Sequence, residues 1–253
     1  MKLSVVIITY NVEGIIERCL KSVMGVADEI LVVDSFSTDE TVSLCEEYNA
    51  RVIRRAFSGY GNQKQFAANQ AMYDFVLSLD ADEELTSELI ESIRSIKISS
   101  RMDYYSINRK NIYCNKWIRF CGWNPDKHIR LFDRQKIAWN DKRVHESIEI
   151  SNYPKAILLE GNMNHYTCRT VAEHQQKEKK YSIINAEILV QKGEKISVFT
   201  PYLSGLFRFF NVYILKLGLF DGYYGFLIST TLAKSSFNKY RLARDIINSM
   251  NYS

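Results

Sequence analysis

The first hundred residues alternate between two hydrophobic periods, and that alternation limits the chain to a parallel sheet covered by helices. Short apolar, β-branched runs at 3–8, 29–33, 51–53 and 75–79 read as strands. Between them stand segments with helical spacing. Residues 12–23 place Ile15, Ile16, Cys19, Leu20 and Val23 on one face, and 41–48, 63–72 and 86 to about 96 follow the same rule. Strand and helix in alternation imply a parallel sheet. Ligands of such sheets bind beyond the carboxyl ends of the strands. Three polar clusters fall at those ends: Thr9-Tyr10-Asn11, Asp34-Ser35 and Asp80-Ala81-Asp82-Glu83.

From residue 101 to about 165 the pattern shifts to mixed strands, read at 104–109, 128–132, 146–150 and 157–159. Residues 170–192 form a charged helix. The segment 203–220 is rich in Leu, Phe, Tyr and Ile, with Ser204, Arg208, Asn211 and Lys216 as a narrow polar stripe. It is too interrupted for a membrane span, which needs about 20 mostly apolar residues. Two readings stay open for it: a helix lying in a membrane interface, or one packed on the preceding domain or on a second copy of the chain. Lys234, Lys239, Arg241 and Arg244 would favour an anionic cytoplasmic leaflet. The expected division is 1–100 as one half of a domain carrying the strand-end clusters, 101–168 as the second half of the same domain, and 169–253 as a helical extension, membrane-associated or oligomer-forming.

A net charge of +4 with scattered Lys and Arg gives no basic block of the kind nucleic acid requires. Five cysteines, an odd number with no Cys-x-x-Cys, fit a reducing, cytoplasmic compartment. The apolar start at 1–8 lacks a following small-residue cleavage site, so it reads as a first strand rather than a signal segment.

Asp80 and Asp82 close a buried strand and suit a divalent metal holding a diphosphate, since Mg²⁺ is commonly bound by one or two carboxylates plus substrate phosphates. Three motifs, Val5–Asn11, Val32–Thr41 and Leu79–Glu83, occur in that order and together resemble the family 2 glycosyltransferases. Further details resemble the lipopolysaccharide core β-glucosyltransferase branch: Gly59–Lys64, Ile129–Phe132, Val144-His145-Glu146 and Gly218–Gly222. The resemblance implies an α/β GT-A fold, a Rossmann-like, mostly parallel sheet with added mixed strands and a C-terminal helical extension. It also implies a UDP-sugar donor, glucose in that branch, a saccharide or glycolipid acceptor, and Mg²⁺ or Mn²⁺ as cofactor.

On this resemblance Thr9, Tyr10, Asn11, Asp34, Ser35, Lys64, Asp80, Ala81 and Arg130 would bind the nucleotide sugar. Asp34 would accept from the uracil N–H and Lys64 would neutralise the diphosphate. Asp82 would ligate the metal, with His165 completing its shell or touching the diphosphate. Each has a plainer alternative: a turn aspartate, a helix cap at Asn11, a solvated lysine, a structural histidine. Inverting transfer also needs a base near the acceptor hydroxyl. The family's paired acids are missing downstream, so Glu146 is the first candidate and Asp126 the second, with His145 orienting the base or meeting the acceptor. Trp117, Trp123 and Trp139 would stack on sugar or fill the core. The competing functions are a polyprenyl-phosphate sugar transferase, whose anionic acceptor needs no base, and a nucleotide-sugar-binding protein without transfer activity.

Overall fold

A computed structural model describes residues 1–99, 102–139 and 156–251. The chain divides into two compact units: 1–110 with 126–165, and 111–125 with 166–253.

The first unit opens with β1 (Leu3–Thr9), α1 (Ile16–Val23), β2 (Glu29–Asp34), α2 (Thr41–Glu47), β3 (Arg51–Arg54), α3 (Tyr60–Gln70) and β4 (Phe75–Asp80). β5 (Glu83–Leu85), α4 (Ser87–Ile98), β6 (Tyr104–Tyr113), β7 (Lys116–Trp117), β8 (Lys127–Asp133) and β9 (Ile157–Cys168) follow along the chain, with β7 and the ends of β6 and β9 belonging to the second unit. β3, β2, β1 and β4 are mutually parallel neighbours in that order. β8 and β6 then continue the sheet antiparallel, with β9 and β5 beyond them. This is the expected α/β GT-A plan, parallel first and mixed afterwards.

Buried side chains line both faces of the parallel strands. Leu3, Val5, Ile7, Leu77 and Leu79 pack with α1 through Ile16, Cys19, Leu20 and Val23, and with α4 through Leu89 and Ile93. Val6, Leu31, Val33 and Val76 pack with Ala67 and Ala68 of α3. Continuous apolar runs such as Val5–Ile8 follow from burial on both faces.

Three boundaries differ from the sequence reading for identifiable reasons. α1 starts at Ile16 rather than near residue 12, because the amides of Val12 and Glu13 are bound by Thr41 Oγ1 at 2.8 Å and Asp39 Oδ2 at 3.1 Å. The acidic stretch Glu83–Leu85 is a strand, since it pairs with Met163–His165 of β9. β9 runs to Cys168 rather than ending near residue 159, lying between β6 and β5 and paired with β5 over Met163–His165. The expected strand at 146–150 lies outside the described residues.

The second unit holds the end of β6 with β7, then α5 (Val171–Gln191), α6 (Thr200–Phe210) and α7 (Tyr223–Asn251). Its core joins Tyr113, Ile118, Cys121, Cys168, Val212 and Ile228. The segment 203–220 is not one helix. A π-helical turn covers Asn211–Leu215, Leu217 takes a left-handed φ of 58°, and a 3₁₀ turn spans Gly218–Asp221. Buried Asp221 draws the chain inward, accepting from the amides of Arg119 at 3.0 Å and Phe120 at 2.9 Å. Among the described residues no helix is long and apolar enough to cross a membrane.

Candidate active site

Strand register brings the three polar clusters together. Thr9 lies level with Asp34 across β1 and β2, and Ile8 lies level with Asp80 across β1 and β4. The carboxyl ends of three adjacent parallel strands therefore present Thr9, Asp34 and Asp80 along one edge.

The loops after β1 and β2 are tied into one platform. Asn11, at φ 49°, donates its amide to Ser37 Oγ at 2.8 Å, and its Oδ1 accepts from the Thr38 amide at 2.8 Å. Asn11 thus bridges two loops and does not cap α1. Asp39 accepts from Glu13 and from Thr41, each at 3.1 Å, so it binds the first loop and supports the start of α2. Asp34 is fully buried. It accepts from Thr9 Oγ1 at 3.0 Å and from the Ser37 amide at 2.8 Å, and also from the Ser37 hydroxyl. An ionised carboxylate has about four lone-pair sites, so one acceptor direction remains. Ser35 donates its amide to the Thr9 carbonyl at 2.9 Å and accepts from Gln63 at 3.2 Å. Tyr10 stands 61% exposed beside this platform.

A buried ladder of charges lies under Asp80. Lys64 sits 2.9 Å from Asp80 and Arg130 3.0 Å from it, and Arg130 also reaches Glu83 at 2.6 Å. Lys64 and Arg130 are both buried, so neither is a solvated surface cation. Lys64 also stands 5.1 Å from the Trp139 ring centre. Glu83 Oε2 accepts from the Asp80 amide at 2.9 Å, which closes the Asp80–Glu83 turn on itself; Ala81 is buried within it. Burial works to raise the Asp80 pKa, but Lys64 and then Arg130 outweigh it and hold the carboxyl well below the usual range. Burial pushes Glu83 the other way, above its ordinary value, against the pull of Arg130 and with the push of Asp80.

A β-bulge aims Arg130. Tyr105 pairs with Leu131 and Ser106 with Ile129, so Arg130 is the extra residue of β8 with no partner position on β6. Bulges bend a strand and re-aim a side chain, often beside active sites. Arg109 extends the ladder, 3.7 Å from Glu83 and 2.8 Å from Asp126. The other Asp126 oxygen is 2.6 Å from His128 Nε2. Glu83, Arg109 and His128 are members that sequence reasoning did not single out. Glu83 stood inside the acidic motif, whereas Arg109 and His128 carry no local signal because their partners lie across the sheet.

Asp82 points elsewhere, with Oδ2 3.3 Å from His165 Nε2. The pairing of Glu83 with His165 sets this contact. Among the described residues no three His, Cys, Asp or Glu side chains converge as a complete metal cage. Asp82 and His165 instead offer one oxygen and one nitrogen donor. That suits a divalent ion whose remaining ligands are phosphate and water. Glu146 and His145 lie outside the described residues. Trp139 packs against the core on the α3 side of the sheet and Trp123 against the core of the second unit.

A model described as glycosyl transferase family 2 matches residues 4–211. The chain belongs to glycosyltransferase family 2. It is similar to an uncharacterized glycosyltransferase of Rickettsia typhi, 32% identical over 97% of this chain and 87% of that protein. It is also similar to the lipopolysaccharide core biosynthesis glycosyltransferase LpsC of Rhizobium meliloti, at 28% identity over 87% of this chain and 84% of that protein. A crystal structure of S. aureus TarS 1–349 aligns with a TM-score of 0.43 and 17% identity, covering 98% of this chain and 92% of that one. As a family 2 glycosyltransferase the protein is an enzyme, and the strand-end platform with its acidic turn is its candidate active site.

Proposed function

We propose that this enzyme moves a sugar, glucose by its branch resemblance, from a UDP-sugar to a saccharide acceptor of the cell envelope, such as a lipopolysaccharide core. The observation that carries the reading is the division of labour in the acidic turn. Asp80 is neutralised by Lys64 and Arg130, while Asp82 is left beside His165 as a two-donor set. Thr9, Tyr10, Asn11, Asp34 and Ser35 would receive the uridine, with Asp34 acting through its remaining acceptor direction.

Lys64 and Arg130 serve the diphosphate indirectly on this reading. They hold the turn and keep Asp80 ionised. A Mg²⁺ or Mn²⁺ ion on Asp82 and His165 would supply charge to the departing diphosphate. Both Asp126 oxygens are engaged, by Arg109 and by His128, so Asp126 serves as a positioning residue and Glu146 stands first as the acceptor base, with His145 beside it. Similarity to LpsC supports the envelope acceptor.

Membrane contact at the inner leaflet is part of the same proposal. α6 turns small residues toward α7, where a Cβ added at Gly205 would lie 3.3 Å from both the Ala233 carbonyl oxygen and Phe237 Cβ. Its large apolar side chains face outward, with Leu203 65% and Phe207 68% exposed. A contiguous apolar patch of this kind marks a membrane or protein contact.

Titration calorimetry with UDP, with and without Mn²⁺, tests the core of the proposal. Metal-dependent binding lost in Asp82→Asn is expected, and binding indifferent to both metal and Asp82 refutes it. Glu146→Gln then separates base-dependent transfer from the polyprenyl-phosphate alternative. Unchanged turnover would remove Glu146 as the base.

A further inference from the structure

The second unit contains a cavity of about 290 Å³ lined by none of the residues assigned to the transferase site. Three cations line it: Lys177 of α5, Arg208 of α6, and Lys216 just after the π-helical turn. Glu178 is the carboxylate in its wall. Among the described residues, Lys177, Arg208 and Lys216 make no ion pair or side-chain hydrogen bond. Lys177 and Lys216 are exposed and Arg208 is half-buried, so solvent screens their mutual repulsion, but three cations against one carboxylate leave the concavity with a net positive charge that suits an anion.

The backbone around Lys216 is unusual in ways that serve this convergence. The Lys216 amide donates to the Asn211 carbonyl at 2.8 Å, closing a five-residue turn, and its own carbonyl accepts from Cys121 at 3.0 Å. π-turns inside helices recur at functional sites. Leu217 then adopts a left-handed φ of 58°, a conformation a branched residue holds only where its surroundings impose it. The Lys216 stem lies flat on Gly122. A Cβ there would meet Lys216 Cδ at 2.6 Å and Nζ at 2.8 Å, so a side chain at this position would push the lysine's flexible end aside. His174, also in the wall, is buried and donates to or accepts from the Tyr113 hydroxyl at 3.2 Å. Burial, with Lys177 adding to it, pushes its pKa down to about 4, so it is a neutral hydrogen-bonding group at neutral pH.

We propose that this cavity is a phosphate-binding site, taking a phosphate mono- or diester through Lys177, Arg208 and Lys216. Arg offers a planar fork that matches phosphate oxygens, and the two ammonium groups supply point charge. The ligand chemistry has two sources, a free phosphate or the headgroup of an amphiphile. Arg208 and Lys216 sit on the segment that exposes Phe207, Phe210 and Leu215, which places apolar surface next to the charge.

The test uses the full chain and two probes, inorganic phosphate by calorimetry and flotation on phosphatidylcholine vesicles with or without phosphatidic acid. Lys216→Ala and Arg208→Gln are each expected to weaken binding about tenfold, the loss of one charge-assisted hydrogen bond. Lys180→Ala, on α5 and outside the cavity lining, is the control for general charge and is expected to leave binding unchanged. Phosphate binding that follows this pattern assigns a free-phosphate site. Capture by phosphatidic acid alone, with the same dependence, assigns a headgroup site. If neither probe binds, or if Lys180→Ala weakens binding as much as Lys216→Ala, the proposal is overturned. UDP affinity measured on the same variants is expected to stay at the parent value, which keeps this outcome separate from the fate of the transferase reading.

Discussion

Replacing Arg130 by methionine removes the centre of the buried ladder while keeping most of its volume. The guanidinium is 2.6 Å from Glu83 and 3.0 Å from Asp80. Asp80 keeps Lys64 at 2.9 Å and is partly open to solvent, so little of the cost falls on it. Glu83 has no such reserve. Its side chain is fully buried, and its next cation, Arg109, stands 3.7 Å away. Breaking a buried pair by removing one partner costs about 3–5 kcal/mol. The lower end applies here, because Glu83 retains the Asp80 amide and can take a proton. Against a domain stability of about 5–15 kcal/mol, a loss of about 3 kcal/mol is large and lowers Tm by roughly 6–12 °C.

The loss also has a pH signature. Burial already raises the Glu83 pKa, and removing Arg130 raises it further. A carboxyl whose folded pKa lies above its unfolded value binds more protons when folded. Its contribution is therefore fully present below the unfolded pKa and is lost as pH rises through the folded one. The Arg130→Met deficit should shrink as pH falls from 8 toward 5. Urea unfolding of variant and parent across that range measures it as a difference, which cancels groups common to both. A deficit below about 1 kcal/mol, or one that does not change with pH, refutes the assignment of Arg130 as the partner that Glu83 requires.

Four further outcomes are expected. On the proposed reading of Asp82 as a metal ligand, Asp82→Asn should reduce metal-dependent transfer by about a hundredfold or more, and the circular dichroism spectrum should stay unchanged because its contact with His165 at 3.3 Å is replaced by a neutral amide of the same size. Asn11→Ala removes the Oδ1 acceptor of the Thr38 amide and a residue type suited to positive φ while keeping the backbone bond to Ser37, and on the proposed reading should weaken UDP binding with a stability cost of about 1 kcal/mol in urea titration. Gly161→Ala should leave little soluble protein, because φ is +87° and the new Cβ would lie 2.3 Å from the Leu89 amide nitrogen; recovery of near-parent expression would contradict that packing. His174 is held neutral with its pKa at about 4, so the parent should lose up to about 3 kcal/mol as pH falls from 6.5 toward 4, and His174→Gln should abolish that dependence.

The parallel half of the sheet was legible because its signals are local. Strands buried on both faces must be continuously apolar, and the helices between them must carry one apolar stripe, so residues 1–80 disclosed their own order. The motifs at the strand ends disclosed the family in the same way. Helix starts were less legible. The start of α1 depends on Thr41 and Asp39, more than twenty residues away.

The charge ladder was not legible, although four of its members, Lys64, Asp80, Asp126 and Arg130, had been picked out one by one. Sequence suggested that Lys64 and Arg130 meet a ligand. Tertiary structure put them on Asp80 and Glu83, through a bulge in β8 that no residue pattern announces. The segment 203–220 read as one amphipathic helix, and packing broke it at a π-turn and pulled Asp221 onto two distant amides. The sequence by itself determined which elements form and which chemistry stands at their ends, because periodicity and strand-end motifs are properties of neighbouring residues. Which charges neutralise one another, and which are left for a ligand, was decided only by contacts between residues far apart in the chain.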